Sequence, residues 1–232
     1  MAFTKIGLPL IPLMNGVIPD DSFVTAVESV NDALKQASVP IENISLDLYN
    51  IIDLRMLSGL IGEMFSSELC SCLPQLRKNP NIDGYPDLLD LSSESARIAI
   101  NNCKSEDFIK FPFGGLEVKN TFGVKKSKVA IPARATRLHH IQTTLVWKAH
   151  HRETNNLIGL QSDYIDGIPQ IIAFYHSNKL EQSDWTVKQQ PRPGSTMTSF
   201  CQTQSSGYKK MRDGLRFFMP GIGMEQFLGL TK

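Results

Sequence analysis

Two short segments of the chain place carboxylates beside apolar neighbours, and the second also contains a lysine. The first runs from Asp83 to Asp87 (DGYPD), and the second runs from Gly115 to Lys119 (GLEVK). In both segments a carboxylate lies beside residues typical of a strand, where burial of an unpaired charge costs free energy. A bound cation would offset that cost. The two segments are therefore candidates for a metal site.

The spacing within the second segment predicts which side chains meet. Residues two apart on a strand share a face, so Glu117 and Lys119 point one way and Val118 points into the core. If Asp87 lies on a neighbouring strand, its carboxylate reaches the same face. The two carboxylates and the Val118 carbonyl would then hold Mg²⁺ through hard oxygen ligands and leave positions for water and a phosphate. With Lys119 orienting that water or offsetting developing charge, the set predicts phosphodiester hydrolysis.

The order of these residues resembles a known family. Pro86-Asp87 followed by Glu117-Val118-Lys119 looks like the motif of the PD-(D/E)xK nuclease superfamily. The surrounding sequences IDGYPDLL and GGLEVKNTFG are similar to those of type II restriction endonucleases. The resemblance implies a central mixed β-sheet flanked by α-helices, Mg²⁺ held by Asp87 and Glu117, and a catalytic Lys119. It also implies a homodimer and a cognate DNA methyltransferase that protects host DNA.

A further glutamate is expected beside this site. Family members often add one from the helix before the first acidic residue, and Glu63 in SGLIGEMF resembles that position. Glu68 is the alternative because the helical spacing places it on the apolar face, and Glu63 could instead be simply solvent-exposed. Asp83 and Asp90 are expected at a turn and a strand end. The structural alternative for the whole set is a Glu117–Lys119 salt bridge and a turn-capping Asp87.

Charge is unevenly distributed along the chain. Residues 1–103 contain 6 Lys and Arg against 13 Asp and Glu, whereas the remainder contains 18 against 10. The stretch from Lys119 to Arg152 is basic without a single acidic residue, and the stretch from Thr186 to Arg212 repeats this pattern more weakly, again without acidic residues. Such runs suit a polyanion, although a solvated basic face would show the same pattern.

The basic stretches supply candidate contacts to double-stranded DNA. Clustered lysines suit phosphates, and loop residues such as Arg and Gln suit base edges. The expected DNA-binding residues are Asn120, Lys125, Lys126, Lys128, Arg134, Lys188, Gln189, Gln190, Arg192, Gln202, Gln204, Lys209 and Lys210.

Hydrophobic periodicity predicts the elements that position these residues. Residues 1–75 are expected to be mainly helical, with a helix over 24–36 and a longer one after Asp53 as its N-cap. Residues 79–180 are expected to form the catalytic sheet, with strands over 86–91, 108–120, 143–151, 157–164 and 169–175. Residues 183–212 are rich in Pro, Ser, Thr, Gln and Gly and are predicted to form recognition loops. We expect one nuclease domain over 1–232.

Other features exclude several classes of protein. No apolar run is long enough to span a membrane and no secretory signal is visible, so a cytoplasmic location is expected. Cys70, Cys72, Cys103 and Cys201 lack zinc-site spacing and are expected to be reduced thiols. The pairs His139-His140 and His150-His151 cannot chelate one ion together from a strand, since adjacent residues face opposite ways. Trp147 and Trp185 are expected in the core or an interface.

These observations favour a Mg²⁺-dependent endonuclease that cleaves double-stranded DNA at a specific short sequence. Two alternatives stay open. The same fold and chemistry would serve a repair or junction-resolving nuclease that reads DNA structure, and the basic stretches alone would serve a non-catalytic DNA-binding module.

Overall fold

The computed structural model describes residues 2–7, 10–38, 47–189 and 200–230. Its helices are α1 (Asp20–Gln36), α2 (Leu48–Ile51), α3 (Leu54–Cys72), α4 (Glu94–Ile100), α5 (Ser205–Asp213) and α6 (Met224–Leu228). Its strands are β1 (Thr4–Lys5), β2 (Leu10–Leu13), β3 (Gly16–Pro19), β4 (Leu76–Lys78), β5 (Leu88–Asp90), β6 (Gly115–Thr121), β7 (Lys148–Ala149), β8 (Leu157–Ile165), β9 (Ile168–Ser177), β10 (Trp185–Gln189), β11 (Phe200–Thr203) and β12 (Leu215–Phe218).

A large mixed sheet forms the centre of the described chain. Its strand order is β1-β12-β9-β8-β6-β5-β4. The β6–β8 pair is parallel and the other neighbouring pairs are antiparallel. A second sheet has the order β10-β11-β7, and β2 pairs with β3 in a hairpin. The predicted α/β class with a central mixed sheet flanked by helices is confirmed.

Hydrophobic cores cover both faces of the central sheet. On one face α1 and α3 pack against β9 and β6, and the buried side chains there include Phe65, Val118 and Phe174. On the other face α5 and the second sheet surround Trp147 and Tyr175. Alternate residues of β9 thus enter opposite cores, as expected of a strand buried on both sides.

Helix α3 begins where the sequence predicts. The Asp53 carboxylate accepts hydrogen bonds from the backbone N–H groups of Arg55 and Met56, at 2.7 and 3.0 Å, and so caps the first turn. Leu57, Ile61 and Phe65 follow at four-residue spacing and are fully buried. Capping and periodicity together fix the face that α3 turns toward β6.

Three regions differ from the predicted elements. The N-terminal part, predicted to be mainly helical, contains α1, α2 and α3 but also β1 and, over residues 10–19, the β2–β3 hairpin. Within 143–151 only β7 is a strand, since the Thr143 carbonyl accepts from the Tyr208 hydroxyl at 2.7 Å instead of a neighbouring strand. Where composition predicts loops, residues 183–189 and 200–212 form β10, β11 and α5 after a short 3₁₀ turn.

The predicted strand over 108–120 is shortened to β6. Phe108 ends a 3₁₀ turn, and the chain becomes extended in the sheet only at Gly115. None of the helices in the described part of the chain has both the length and the apolarity needed to cross a bilayer.

Candidate active site

The floor of the site is the point where β5 and β6 separate. The two strands pair at Leu88 with Leu116 and at Leu89 with Gly115. Gly115 has a φ of +153°, and a Cβ added there would lie 1.9 Å from the Leu88 carbonyl oxygen. Only glycine permits this close pairing. Asp87 directly precedes β5 and therefore lies beside the part of β6 that β5 leaves unpaired.

Three predicted site residues converge at this point. The Lys119 ammonium lies 2.7 Å from Asp87 Oδ2 and 2.9 Å from Glu117 Oε1. The Val118 N–H donates to Asp87 Oδ2 at 2.8 Å, and the Asp87 N–H donates to Glu117 Oε2 at 3.2 Å. Residues distant in sequence thus form one hydrogen-bonded cluster, as the strand spacing predicts.

The cluster is unevenly buried. The Glu117 side chain is 2% exposed, whereas Lys119 is 19% and Asp87 32% exposed. Burial raises the pKa of Glu117 to about 7; the Lys119 ammonium opposes this shift and the Asp87 carboxylate adds to it. Glu117 therefore changes its charge near neutral pH.

Lys119 remains a cation in this environment. Burial alone lowers its pKa, but the negative charges of Glu117 and Asp87 outweigh that effect, and the pKa lies above its usual range. Lys119 can therefore donate hydrogen bonds and neutralise negative charge, but it is not poised to accept a proton.

A partly buried hydrogen-bond network of Asn156 and His176 holds the strand that carries Glu117. The Asn156 carbonyl accepts from the Glu117 N–H at 3.0 Å, and Asn156 Nδ2 donates to the Gly115 carbonyl at 2.9 Å. Asn156 Oδ1 lies 2.8 Å from His176 Nε2, so this imidazole nitrogen is the donor. Burial and the nearby Arg216 lower the pKa of His176 to about 3, which keeps the ring neutral. The network fixes β6 beneath the cluster.

Sequence reasoning missed these supporting residues. Asn156 belongs to the segment Thr154-Asn155-Asn156, whose composition predicts a turn, and His176 lies in β9 just past the predicted strand 169–175. The only available signal was the polarity of both residues next to buried strands.

The cluster opens into a cleft of about 750 Å³. One wall is α3, where small residues such as Ser58, Gly59 and Gly62 leave the cleft wide. The opposite wall is the second sheet with Lys148, His150 and Phe200, and Arg55 lies on the α3 side. Cationic groups thus flank the carboxylates on both sides.

The donor set fits a hard divalent cation. Asp87 and Glu117 offer carboxylate oxygens, and Val118 directs its N–H toward Asp87. Because the N–H and C=O of one residue in a strand point to the same edge, the Val118 carbonyl also faces the gap left by β5. Within the described ranges no group of three or more His, Cys, Asp or Glu residues could hold a metal. Two carboxylates are the set that Mg²⁺ commonly uses when water and phosphates complete its shell.

The structure separates the two candidate glutamates of α3. Glu63 lines the cleft and pairs with the Lys78 ammonium at 2.5 Å. Glu68 instead accepts from the Ser29 hydroxyl at 2.9 Å, where α1 meets α3. Glu63 therefore shares the cleft with Asp87, and Glu68 does not line it.

Asp83, Asp90, the two tryptophans and the four cysteines do not line the cleft. Asp90 accepts from the Met14 N–H at 2.6 Å and from the Ser92 N–H at 2.8 Å, which ties the β2–β3 hairpin to the end of β5. Asp83 is exposed in the turn. Trp147 and Trp185 are core residues, and the four cysteines are free thiols.

One predicted DNA contact lines the cleft, and several others have exposed side chains. Asn120 lines it, and Lys125, Lys126 and Lys128 lie exposed on the segment that follows β6. Lys188 on β10 and Lys209 on α5 are exposed, and Gln202 on β11 is half-buried.

Other predicted DNA contacts are engaged within the protein. Arg134 pairs with Asp47 and donates to the Gly167 carbonyl at 2.7 Å. Lys210 pairs with Asp184 at 2.8 Å. Gln204 donates to the carbonyls of residues 183 and 185 at 3.1 and 3.3 Å. Gln190 and Arg192 lie outside the described residues, as does the side chain of Gln189.

Comparison of the chain with protein-family models, with curated proteins and with solved structures gave no match. The function of the chain must therefore be inferred from the residues of the site.

Proposed function

We propose that this protein is a Mg²⁺-dependent endonuclease that cleaves double-stranded DNA at a specific short sequence, with a fold of the restriction-endonuclease type. The observation that carries the proposal is the Lys119 ammonium held between Asp87 and Glu117, at 2.7 and 2.9 Å, on the floor of an open cleft. The buried Glu117 costs free energy that a bound cation would recover.

The substrate class follows from the charges around the cleft. Asp87, Glu117 and Glu63 are acidic groups in or beside a cleft whose walls carry Arg55 and Lys148. Cations on the walls suit the phosphates of a nucleic acid, and carboxylates on the floor suit the metal that such chemistry needs. The lysines of the segment after β6 add further exposed cationic groups.

Each group has a distinct task in phosphodiester hydrolysis. Asp87, Glu117 and the Val118 carbonyl would hold Mg²⁺. When bound, Mg²⁺ polarises a phosphoryl oxygen and lowers the pKa of a coordinated water. Lys119, charged at neutral pH, donates hydrogen bonds to the attacking water or to an oxygen of the phosphate and offsets the charge that develops there. Glu63 lies in the same cleft, where it can position water.

The supporting network keeps these groups in place during the reaction. Asn156 fixes the backbone of β6 on both sides of Leu116, through Gly115 and Glu117. His176 stays neutral and holds the Asn156 side chain. Groups held before the reaction cost no reorganisation when charge develops.

The resemblance to type II restriction endonucleases supplies the biological part of the proposal. A homodimer would present two sites to a palindromic sequence, with one strand cut by each subunit. A DNA methyltransferase would protect the host, and the enzyme would act in the cytoplasm.

Incubation of phage DNA with the protein and Mg²⁺, followed by sequencing of the fragment ends, tests the proposal. We expect discrete fragments whose ends share one short sequence, and no fragments from the Asp87→Ala variant. Cleavage restricted to branched or mismatched duplexes would instead identify a structure-specific nuclease. Binding of DNA without Mg²⁺-dependent cleavage would identify a non-catalytic module.

A further inference from the structure

The second sheet presents one row of polar side chains across its three strands. Gln202 on β11 pairs in register with Thr186 on β10 and with Lys148 on β7. Side chains directly opposite one another in adjacent strands lie about 5 Å apart. The three residues, called the polar row below, therefore form a continuous line across the sheet.

At β7 and β11 the opposite face of this sheet packs against the core. Ala149 and Cys201, which pair with each other, are 2% and 1% exposed, and both belong to the core cluster that contains Trp147 and Trp185. Because side chains alternate along a strand, burial of Ala149 and Cys201 turns Lys148 and Gln202 outward. The orientation of the polar row thus follows from the core.

The outward face continues into the cleft above the acidic cluster. Lys148, His150 and Phe200 line the same cleft as Asp87 and Lys119. The Lys148 ammonium lies 5.1 Å from the centre of the Phe200 ring, and Phe200 precedes Gln202 by two residues on the same face. A duplex held with a phosphate at Asp87 would meet this sheet next.

The chemistry of the row matches the edges of bases. Strands β7, β10 and β11 contain no Asp or Glu, so nothing on them repels a polyanion. A lysine donates to guanine, a glutamine forms two hydrogen bonds with adenine, and a threonine contacts either. The major groove is wide enough to admit a β-ribbon.

Gln204, two residues after Gln202, has a structural role that Gln202 does not share. Gln204 donates to the carbonyls of residues 183 and 185 and holds the start of α5. Gln202 faces outward from the middle of the sheet, beside a lysine that lines the cleft.

We propose that the polar row of Lys148, Thr186 and Gln202 reads base edges in the major groove, and that Gln202 and Lys148 are specificity-determining residues. This inference rests on the proposed DNA-cleaving function and names the surface that selects the sequence. Thr186 and Lys148 were not among the residues expected to contact DNA, and the row lies on strands β7, β10 and β11 rather than on loops.

A binding selection tests the polar row without requiring cleavage. The full-length protein would be mixed with randomised duplexes in Mg²⁺-free buffer, and the bound duplexes would be sequenced. We expect wild type to enrich a defined sequence. Gln202→Ala should lose about 10-fold preference or more at one base pair and keep the others, as expected for loss of a two-hydrogen-bond contact. Lys148→Gln should do the same at another base pair.

Matched controls and a second variant keep the test decisive. Gln226→Ala and Lys179→Gln make the same chemical changes at exposed positions outside the cleft lining and should keep the wild-type preference. Gln202→Glu retains a side chain of nearly the same size and should also lose preference at the Gln202 position.

The outcomes separate the inference from the proposed function. Unchanged preference in the Gln202 and Lys148 variants, or no preference in wild type, overturns the inference even if the wild-type protein cleaves DNA. Loss of preference in those variants alone supports it, even if no cleavage occurs and the proposed hydrolysis fails.

Discussion

Two lysines of this protein each bridge two acidic residues, and the comparison shows what distinguishes the candidate active site. Lys119 contacts Asp87 and Glu117, and Lys210 contacts Asp184 at 2.8 Å and Glu181 at 3.4 Å. In each cluster one carboxylate is almost fully buried, since Glu117 and Asp184 are both 2% exposed. Geometry alone makes the two clusters look alike.

The buried carboxylates nevertheless have opposite pKa shifts. Burial raises the pKa of Glu117 to about 7. Burial also acts on Asp184, but hydrogen bonds from Lys210, Ser206 and the Glu181 N–H outweigh it and lower the pKa. Hydrogen bonds stabilise the ionised form of Asp184, whereas burial disfavours the ionised form of Glu117. A buried carboxylate whose ionised form is disfavoured, next to a cleft, is typical of functional sites.

The largest expected effect is the difference in DNA cleavage rate between variants of Lys119 and Lys210. Lys119→Ala should lower the DNA cleavage rate about 100- to 1,000-fold, because it removes a charged donor from the transition state. Lys210→Ala should leave the rate unchanged. Single-turnover cleavage of plasmid DNA at saturating protein measures both rates. Equal losses in the two variants would show that the clusters do not differ in function.

The pH dependence of stability should separate Glu117 from Asp184. Glu117 has a folded-state pKa above its ordinary 4.5, so the stability it contributes is full below pH 4.5 and is lost as the pH rises to about 7. Glu117→Gln removes that loss. Between pH 4 and pH 8 the free energy of unfolding of the variant should therefore rise by roughly 3 kcal/mol relative to that of wild type. Urea unfolding at both pH values measures the difference. Parallel pH profiles of the two proteins would contradict the assignment.

Asp184 should show the opposite sign. Its folded-state pKa is lowered, so its contribution is present above its ordinary 3.8 and is lost as the pH falls below that value. Asp184→Asn should cost about 2 kcal/mol at neutral pH, because hydrogen-bond donors lose a charged partner. The deficit should shrink in acid. Thermal unfolding from pH 7 to pH 3 would reveal a constant deficit if this account of Asp184 were wrong.

The smallest expected effect is stabilisation by the metal alone. At a tenfold excess of Mg²⁺ over its dissociation constant, a single site stabilises the fold by about 1.4 kcal/mol. Wild type and Lys210→Ala should show this gain in chemical unfolding, and Asp87→Asn should not. An equal gain in Asp87→Asn would place the metal elsewhere.

Local patterns in the sequence were sufficient to predict several features of the fold and of the candidate site. The Asp53 cap, the buried face of α3 and the shared face of Glu117 and Lys119 each depend on residues a few positions apart, and the structure confirms all three. Strands β8 and β9 also follow from their own hydrophobicity. Each of these features is determined within one element.

The features that sequence did not predict depend on long-range partners. The polar composition of 183–212 indicates loops. Its strand β11, however, pairs with β7, which lies some 50 positions earlier in the chain. Asn156 and His176 reveal their role only when β8 and β9 bring them under β6. The role of Lys210 likewise depends on Asp184, which its own helix does not contain. No local pattern contains such pairings.

Cleavage of supercoiled plasmid by wild type and by Asp87→Asn, with Mg²⁺ and with a chelator, tests the central claim most directly. We predict that wild type converts the plasmid to cut forms only with Mg²⁺, and that Asp87→Asn still binds the plasmid but leaves it intact. Cutting by Asp87→Asn at the wild-type rate, or an intact plasmid with wild type and Mg²⁺, would contradict the assignment of this cluster to phosphodiester hydrolysis.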